Sequence, residues 1–328
     1  RFSTSGNRDL ASLLGFEVIM RPFESDPPDH TNYRQLLQPW FTPSAIRARE
    51  PAVASACSVL IDGFRSDRGC EFIGEFATFL PSRVFLSVMG LPMDMLPQFL
   101  EWENGFMRGP TFEVQRAATR AIYDYFKDYL AHCRKNPKDD LVTSIANGNI
   151  QGHQLEPDEA IGTCMLLYIA GLDTVKSTLG WHMRHLATDP ALQAQLRAEP
   201  TLLPAGVDEL ARAYGATCNG RVVMRDCEFH GVAMRAGDVV AMPSFFASRD
   251  PREYADPHVV NINRNARNMT FGTGIHTCLG IHLAKQEIRI VMEQFLRRFK
   301  NIRIPEGGEV PWTSRGVWAL KALPLIWD

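Results

Sequence analysis

The chain has 328 residues, of which 45% are apolar, 22% charged and 10% aromatic. That is enough apolar material for a large buried core, and it excludes a disordered or collagen-like chain. With 35 Lys and Arg against 37 Asp and Glu the formal charge is −2, so no global field draws the chain to nucleic acid or an anionic membrane.

The start, Arg1 to Ser5, carries neither the initiator Met nor the basic and apolar regions of a signal peptide. A helix is expected from near Asp29, with His30 and Arg34 one turn apart on one face. Helices over Pro43 to Arg65, Phe72 to Val88, Leu96 to Phe106 and Phe112 to Cys133 follow. From Pro157, with Asp158 and Glu159 in the first turn, no proline intervenes until Pro190; this predicts one helix of about 30 residues, roughly 45 Å long. Its apolar run, Ile161 to Leu172, meets Asp173 after 12 residues and is too short to span a bilayer. The next helical stretch is Pro204 to Tyr214. Short strands are then expected at Arg221-Val222-Val223 and Val239-Val240-Ala241, with turns at His230-Gly231 and Ala236-Gly237-Asp238. A loop over Asn265 to Gly280 leads to a last helix, Ile281 to Phe299, striped by Ala284, Ile288, Val291, Met292, Phe295, Leu296 and Phe299. Trp318 to Trp327 reads as strand. The fold class is α+β, predominantly helical. Without repeats or a Gly-, Ser- or Pro-rich linker, residues 1–328 are expected to form one unit.

Seven cysteines (Cys57, Cys70, Cys133, Cys164, Cys218, Cys227 and Cys278) are scattered without a CxxC pair. Neither a disulfide framework nor a zinc ribbon is indicated, and a reducing, cytoplasmic setting is expected.

Two places stand out chemically. In the middle of the long helix, Ala170-Gly171-Leu172-Asp173-Thr174 puts Gly, Asp and Thr where they serve a helix poorly, so a local opening or bend is expected there. Near the C-terminus, Phe271-Gly272-Thr273-Gly274-Ile275-His276-Thr277-Cys278-Leu279-Gly280 combines glycines suited to a tight loop with a cysteine at the mouth of a helix. There the positive dipole end favours thiolate, the form that ligates a metal or attacks an electrophile. Several readings stay open at this level. Cys278 could be a small buried hydrophobe, a zinc ligand with His276 and His282, or a hydrolase nucleophile beside His276. A dinucleotide site is not supported, because Gly272-Thr273-Gly274 lacks the third glycine and a preceding strand.

The pattern FGxGxHxCxG, complete from Phe271 to Gly280, resembles the cysteine-ligand loop of cytochromes P450. Three further P450 patterns lie upstream in order. Ala170-Gly171-Leu172-Asp173-Thr174 resembles the oxygen-binding groove. Glu209-Leu210-Ala211-Arg212 resembles the ExxR motif, with Arg264 as its third member. Asp26-Pro27-Pro28-Asp29-His30 with Arg34 resembles the helix that holds a haem propionate. Gly171 to Val175 and Ala322 to Asp328 look most like the bacterial camphor 5-monooxygenase branch, although Ala11 to Phe23 contains no Tyr to meet a ketone.

The resemblance implies a cytochrome P450 fold, with a long central helix over haem and small β-sheets, working as a haem-thiolate monooxygenase with haem b (iron-protoporphyrin IX). Cys278 would be the iron ligand, its sulfur bonded by the Leu279 and Gly280 amides and shielded by Phe271 within the loop that includes Gly272. His30, Arg34, Arg221 and His276 would contact the propionates, and Ala170 the ring. Asp173 and Thr174 would be catalytic, Thr174 donating to dioxygen and Asp173 admitting protons. Glu209, Arg212 and Arg264 would form a buried network supporting the cysteine loop. Leu166, Ile169, Ala170, Thr217, Asn219, Val317 and Trp318 would line a pocket for a small, terpenoid- or aromatic-like substrate. Electrons would come from a [2Fe-2S] ferredoxin with its reductase, docking partly on Lys285 and Arg289. The family usually has residues ahead of this start, so a missing N-terminal segment is expected. The alternative function is a haem- and substrate-binding protein without turnover.

Overall fold

A run of 32 residues, Pro157–Thr188, forms a single α-helix, about 48 Å long at 1.5 Å per residue. Asp158 and Glu159 complement its dipole at the start; Asp158 also accepts a 2.8 Å hydrogen bond from Tyr123 Oη, and Glu159 from the Glu156 amide at 3.0 Å. The next helix, Pro190–Ala198, begins at once, capped by Asp189 through a 2.9 Å bond from the Leu192 amide. The computed structural model describes residues 2–5, 9–64, 68–265, 267–314 and 316–328. Among them twelve α-helices and eleven short strands are seen.

The expected opening at Ala170–Thr174 does not occur, and the helix runs unbroken through it. Gly171 has a different reason to be glycine: a Cβ built there would lie 2.2 Å from the buried Phe85 ring. The residue lets an aromatic side chain pack directly on the helix backbone.

Two compact units are interleaved along the sequence, each built from three segments, which explains why no linker is visible. The first comprises residues 1–40, 86–170 and 218–242. Its helices include Asp29–Leu37, Leu96–Arg108, Phe112–Lys135 and Leu141–Ala146. Its sheet places Cys218–Val223 between Phe2–Ser3 and Val239–Pro243, with Phe2 opposite Val223 and Ser3 opposite Val222. Tight hairpins, such as Cys227–Phe229 with Val232–Met234, turn at His230 and Gly231, whose φ values are 49° and 78°.

The second unit comprises residues 41–85, 171–217 and 243–328. Thr42 caps the helix Pro43–Asp62 by accepting from the Ala45 amide at 3.3 Å; the predicted end at Arg65 lies outside the described residues. The helix expected over Phe72 to Val88 divides into a π-helical turn, Ile73–Ala77, and the helix Phe79–Met89. At that junction the Thr78 amide bonds back five residues to the Ile73 carbonyl at 2.9 Å. Helices Leu203–Ala213 and Ile281–Arg298 pack in this unit. The buried face of Ile281–Arg298 extends beyond the predicted stripe to Leu283, Gln286, Glu287, Ile290 and Gln294. Phe295 meets Phe76 at 5.0 Å, and Phe299 stacks on Trp327 at 3.9 Å. The single strand expected over Trp318 to Trp327 is two strands with different partners. Ala319–Leu320 pairs with Trp312–Thr313, and Pro324–Ile326 pairs with Gly69–Glu71. Alternation is therefore only local. No helix among the described residues is long and apolar enough to cross a membrane.

Candidate functional site

Glu209 and Arg212 lie one turn apart on Leu203–Ala213, a helix with both residues on its buried side. The Arg212 guanidinium, 0% exposed, donates twice to the Glu209 carboxylate, from Nε and Nη2 at 2.8 Å each. Arg264 Nε adds a bond to Oε1 at 3.2 Å, and the Asn261 amide one at 2.8 Å. The remaining arginine donors reach backbone carbonyls: Arg212 those of Ser248, Pro257 and Val259, and Arg264 those of Ala255, Asp256 and Val259. Burial raises the Glu209 carboxyl, but the donors from Arg212, Asn261 and Arg264 outweigh it, and its pKa lies below the ordinary value. Glu209, Arg212 and Arg264 are thus one satisfied network that ties down the segment leading to the cysteine loop.

Further tethers run from that segment to the same helix and to Ser248. Thr270 Oγ1 donates to the Ala211 carbonyl at 2.6 Å, Asn268 Nδ2 to that of Asp208 at 3.3 Å, and the Met269 amide to Ser248 Oγ at 2.9 Å. The loop beyond turns through Gly272 and Gly274, at φ of 67° and 71°, a region that disfavours any residue with a Cβ. A 3₁₀ turn over Gly274–His276 follows, and the Cys278 amide closes the loop on the Phe271 carbonyl at 2.8 Å. Cys278 itself is exposed, while Phe271, Gly272, His276, Leu279 and Gly280 are half-buried. Gly280 caps the 18-residue helix Ile281–Arg298, whose first amides and dipole favour an anionic sulfur.

The loop suits the haem that the sequence resemblance implies. At Gly280 φ is −87°, which requires no glycine, and a Cβ built there meets no chain atom within 4 Å. A missing side chain at that point leaves the backbone beside the cysteine free for a flat group to lie against. By contrast, among the described residues no three His, Cys, Asp or Glu side chains converge as a metal cluster, so His276, Cys278 and His282 do not make a zinc site.

In the first unit, the charge of Asp26 acts on both His30 and Arg221, and that of Arg34 on His30. His30 is 3% exposed, and burial together with the Arg34 charge holds its imidazole below the ordinary value against the pull of Asp26. Burial likewise depresses the half-buried Arg221, again opposed by Asp26. Asp26 is raised by burial but lowered overall by hydrogen bonds from Ser3, Thr4 and Ser5. The arginines Arg34 and Arg221, as cationic donors, suit carboxylates such as propionates.

The long helix supplies the remaining candidates. Most of its middle is buried, yet Leu166 and Ile169 are half-buried, Ala170 is exposed and Thr174 is half-buried. These residues follow i, i+3, i+4 and i+8 spacing and make one open stripe, apolar up to the threonine. Asp173 is 1% exposed and lies 3.6 Å from the Lys176 ammonium. Lys176 was not singled out in the sequence, although its i, i+3 spacing from an aspartate is a readable signal.

The other pocket candidates are engaged in packing. Val317, 8% exposed, clusters with Ala216 and Ala319. The Trp318 amide bonds the Ala216 carbonyl at 2.8 Å, and its ring lies 4.1 Å from Trp181. Thr217 gives its hydroxyl to Ser244 Oγ at 3.2 Å, and Asn219 is half-buried in its strand. Nor do Lys285 and Arg289 stand as a bare basic patch. Lys285 pairs with Asp208 at 2.6 Å, and Arg289 with Glu50 and, at 3.1 Å, Glu293.

Comparison with known proteins finds the family model Cytochrome P450 matching residues 82–326. A probable cytochrome P450 127A1 of Sinorhizobium fredii is 36% identical across 98% of this chain and 78% of its own length. A steroid C26-monooxygenase of Mycolicibacterium smegmatis is 29% identical across 94% of this chain and 78% of that protein. Among solved structures, CYP101J2 superposes with a TM-score of 0.88 at 32% identity, covering all of this chain and 83% of that one.

Proposed function

The chain belongs to the cytochrome P450 family, and from that membership we propose that it hydroxylates a C–H bond of a small hydrophobic, terpenoid- or aromatic-like substrate with electrons from an external [2Fe-2S] ferredoxin and its reductase. It is a monooxygenase with haem b as cofactor. Haem b, when bound, supplies the redox chemistry that divides dioxygen between substrate and water. The proposal treats residues 1–328 as a single P450 domain in a reducing cytoplasm.

The chain's own residues have distinct tasks in this reading. Cys278 provides the thiolate that holds the metal; the Leu279 and Gly280 amides hydrogen-bond its sulfur and moderate its charge, and Phe271 and Gly272 shape the loop around it. His30, Arg34, Arg221 and His276 pair with the propionate carboxylates, while Ala170 gives the ring a small side chain to lie against. Thr174 Oγ1 donates a hydrogen bond to dioxygen, and the Asp173 carboxyl hands on protons from solvent. Glu209, Arg212 and Arg264 do no chemistry and keep the cysteine loop in place.

One observation carries the substrate class: the stripe Leu166, Ile169, Ala170 and Thr174 stays open on a helix whose middle is mostly buried. Three apolar positions ending in one hydroxyl favour a hydrocarbon-rich molecule held beside a single polar group. Thr217, Asn219, Val317 and Trp318 complete the proposed lining, although the packing of Val317 leaves it little surface to offer. The pairing of Lys285 and Arg289 with carboxylates means that an acidic ferredoxin needs other cations as well.

A spectral titration of the holoenzyme against terpenoids and small aromatics, joined to substrate-dependent oxygen uptake with a ferredoxin and its reductase, tests the proposal. A saturable spin-state shift with such compounds, and oxygen uptake that falls with salt, are expected. A response to charged or strongly polar compounds alone would refute the substrate class, and salt-insensitive electron transfer would refute electrostatic docking.

A further inference from the structure

Within the second unit, the last turns of Pro157–Thr188 carry Trp181 and His185, and Tyr214 follows the end of Leu203–Ala213. The Trp318 ring lies 4.1 Å from that of Trp181, which in turn stacks on Tyr214 at 6.0 Å with the planes 4° apart. Three readily oxidised rings are therefore in contact, and an electron can pass along them without crossing an intervening residue. Their polar atoms are placed differently. Trp181 Nε1–H donates to the Trp318 carbonyl at 2.9 Å, an oxygen too weakly basic to take the proton. Tyr214 Oη instead lies 2.9 Å from His185 Nδ1, while His185 Nε2 lies 3.6 Å from Asp189 Oδ2. A carboxylate on that side favours the Nε2–H tautomer, which leaves Nδ1 to accept from the phenol. Burial, aided by Arg184, holds the imidazole below its ordinary value against the pull of Asp189, so it is a neutral base near pH 7. Arg184 and Arg249 set their guanidinium groups over the Trp181 and Tyr214 rings at 5.8 and 5.5 Å. Those charges oppose a lasting cation on either ring. An electron vacancy therefore settles where a proton can leave with the electron, at Tyr214.

We propose that Tyr214 is a redox-active tyrosine, reached through Trp318 and Trp181, that absorbs oxidising equivalents no substrate has consumed. For its oxidant this rests on the pocket-lining place given above to Trp318. Trp318 gives one electron to a peroxide-derived one-electron oxidant at the haem, and is refilled from Trp181 and then from Tyr214. The Tyr214 O–H bond breaks as an N–H bond forms at His185 Nδ1, leaving a neutral phenoxyl radical and an imidazolium that faces Asp189. The oxidant gains one electron, Tyr214 loses one electron and its phenolic proton, and both tryptophans end unchanged. A thiol or ascorbate in solvent then restores Tyr214 with one electron, and the proton returns from His185. Asp189, 37% exposed at its side chain, brings the end of the relay to solvent.

The test mixes substrate-free holoenzyme, as parent, Y214F, W181F and H185Q, with hydrogen peroxide, and reads freeze-quenched electron paramagnetic resonance and bleaching of the Soret band. In a second arm the same proteins are oxidised by a laser flash with tris(bipyridine)ruthenium and persulfate, a route independent of the haem. Both arms should give a neutral tyrosyl signal in the parent that Y214F lacks, and peroxide should bleach Y214F faster than the parent. W181F should weaken the signal severalfold in the peroxide arm. H185Q keeps a hydrogen-bond acceptor but no base, and should slow tyrosyl formation after the flash by about 10²-fold or more, since a positioned base contributes about 10²–10⁴-fold. Far-UV circular dichroism and the Soret band before oxidation report that each variant is folded and loaded. Identical radical signals from parent and Y214F in both arms overturn the proposal, and so does an H185Q protein that forms the radical at the parent's rate. A Tyr214 radical after the flash but none with peroxide sustains the tyrosine and its relay and overturns the route through Trp318, and with it the place of Trp318 in the pocket.

Discussion

Replacing Glu209 with Ala removes the acceptor at the centre of four hydrogen bonds, two from Arg212 and one each from Arg264 and the Asn261 amide. An exposed pair would be worth only a few tenths of a kcal/mol, but Arg212 is 0% exposed and its charge would remain without a counter-ion. Breaking a buried pair by removing one partner costs about 3–5 kcal/mol. Over 328 residues, an unfolding entropy of about 2.1 cal/mol/K per residue converts that loss into a fall in Tm of about 4–7 °C. The same network tethers the loop that carries Cys278, so haem occupancy should fall with it. Occupancy is read as Soret absorbance relative to protein absorbance after expression with ample porphyrin precursor, and Tm by circular dichroism. The pH dependence gives a second reading. Because the folded Glu209 is held below its ordinary value, its stabilisation is full above the normal carboxylate pKa and is lost as pH falls through the lowered folded value. The parent's Tm should therefore drop more steeply in that acid window than the variant's. A Glu209→Ala protein that melts within a degree of the parent and retains full haem would refute the reasoning.

Other perturbations have equally definite outcomes. Gly171→Ala drives a Cβ to 2.2 Å from the Phe85 ring and should cost about 1–3 kcal/mol by overpacking; an unchanged denaturation midpoint would contradict that packing. Thr174→Ala should keep haem and fold while diverting reducing equivalents to peroxide, and tight coupling in that variant would remove the role given to its hydroxyl. Glu287 is buried, and burial raises its carboxyl well above the ordinary value of 4.5, so the folded chain holds a proton that the unfolded chain has released. Stability then falls by about 1.4 kcal/mol per pH unit from that value up to the folded pKa. Glu287→Gln should flatten the slope, matching the parent near pH 4.5 and exceeding it at higher pH in chemical denaturation; parallel curves would show that the carboxyl is not buried as described.

What could be read from the sequence follows the strength of local signals. The 32-residue helix is bracketed by Pro157 and Pro190 and stands out for that reason. The cysteine loop announces itself because Gly272 and Gly274 occupy positive φ, and a backbone requirement of that kind shows in the residue type. The helices Leu141–Ala146 and Pro190–Ala198 escaped notice despite their capping Asp140 and Asp189, since neither is long enough for its periodicity to rise above its surroundings. Strands of two or three residues, such as Gly69–Glu71, are defined by a distant partner, Pro324–Ile326, and local pattern cannot supply one. The carbonyls of Ser248, Pro257 and Val259 that receive Arg212 are backbone atoms, which leave no trace in residue identity. Gly171 shows the opposite error: its presence suggested an opened helix, whereas the backbone stays regular and the glycine accommodates Phe85.

The most direct test lies with the exposed Cys278 at the mouth of Ile281–Arg298. The parent protein, reduced and treated with carbon monoxide, should show the red-shifted Soret band of a thiolate-ligated haem, and Cys278→Ala should abolish that band while far-UV circular dichroism still reports a helical fold. Persistence of the band in the variant, or a parent that takes up haem yet never shows it, would contradict the assignment of the sulfur as the metal ligand.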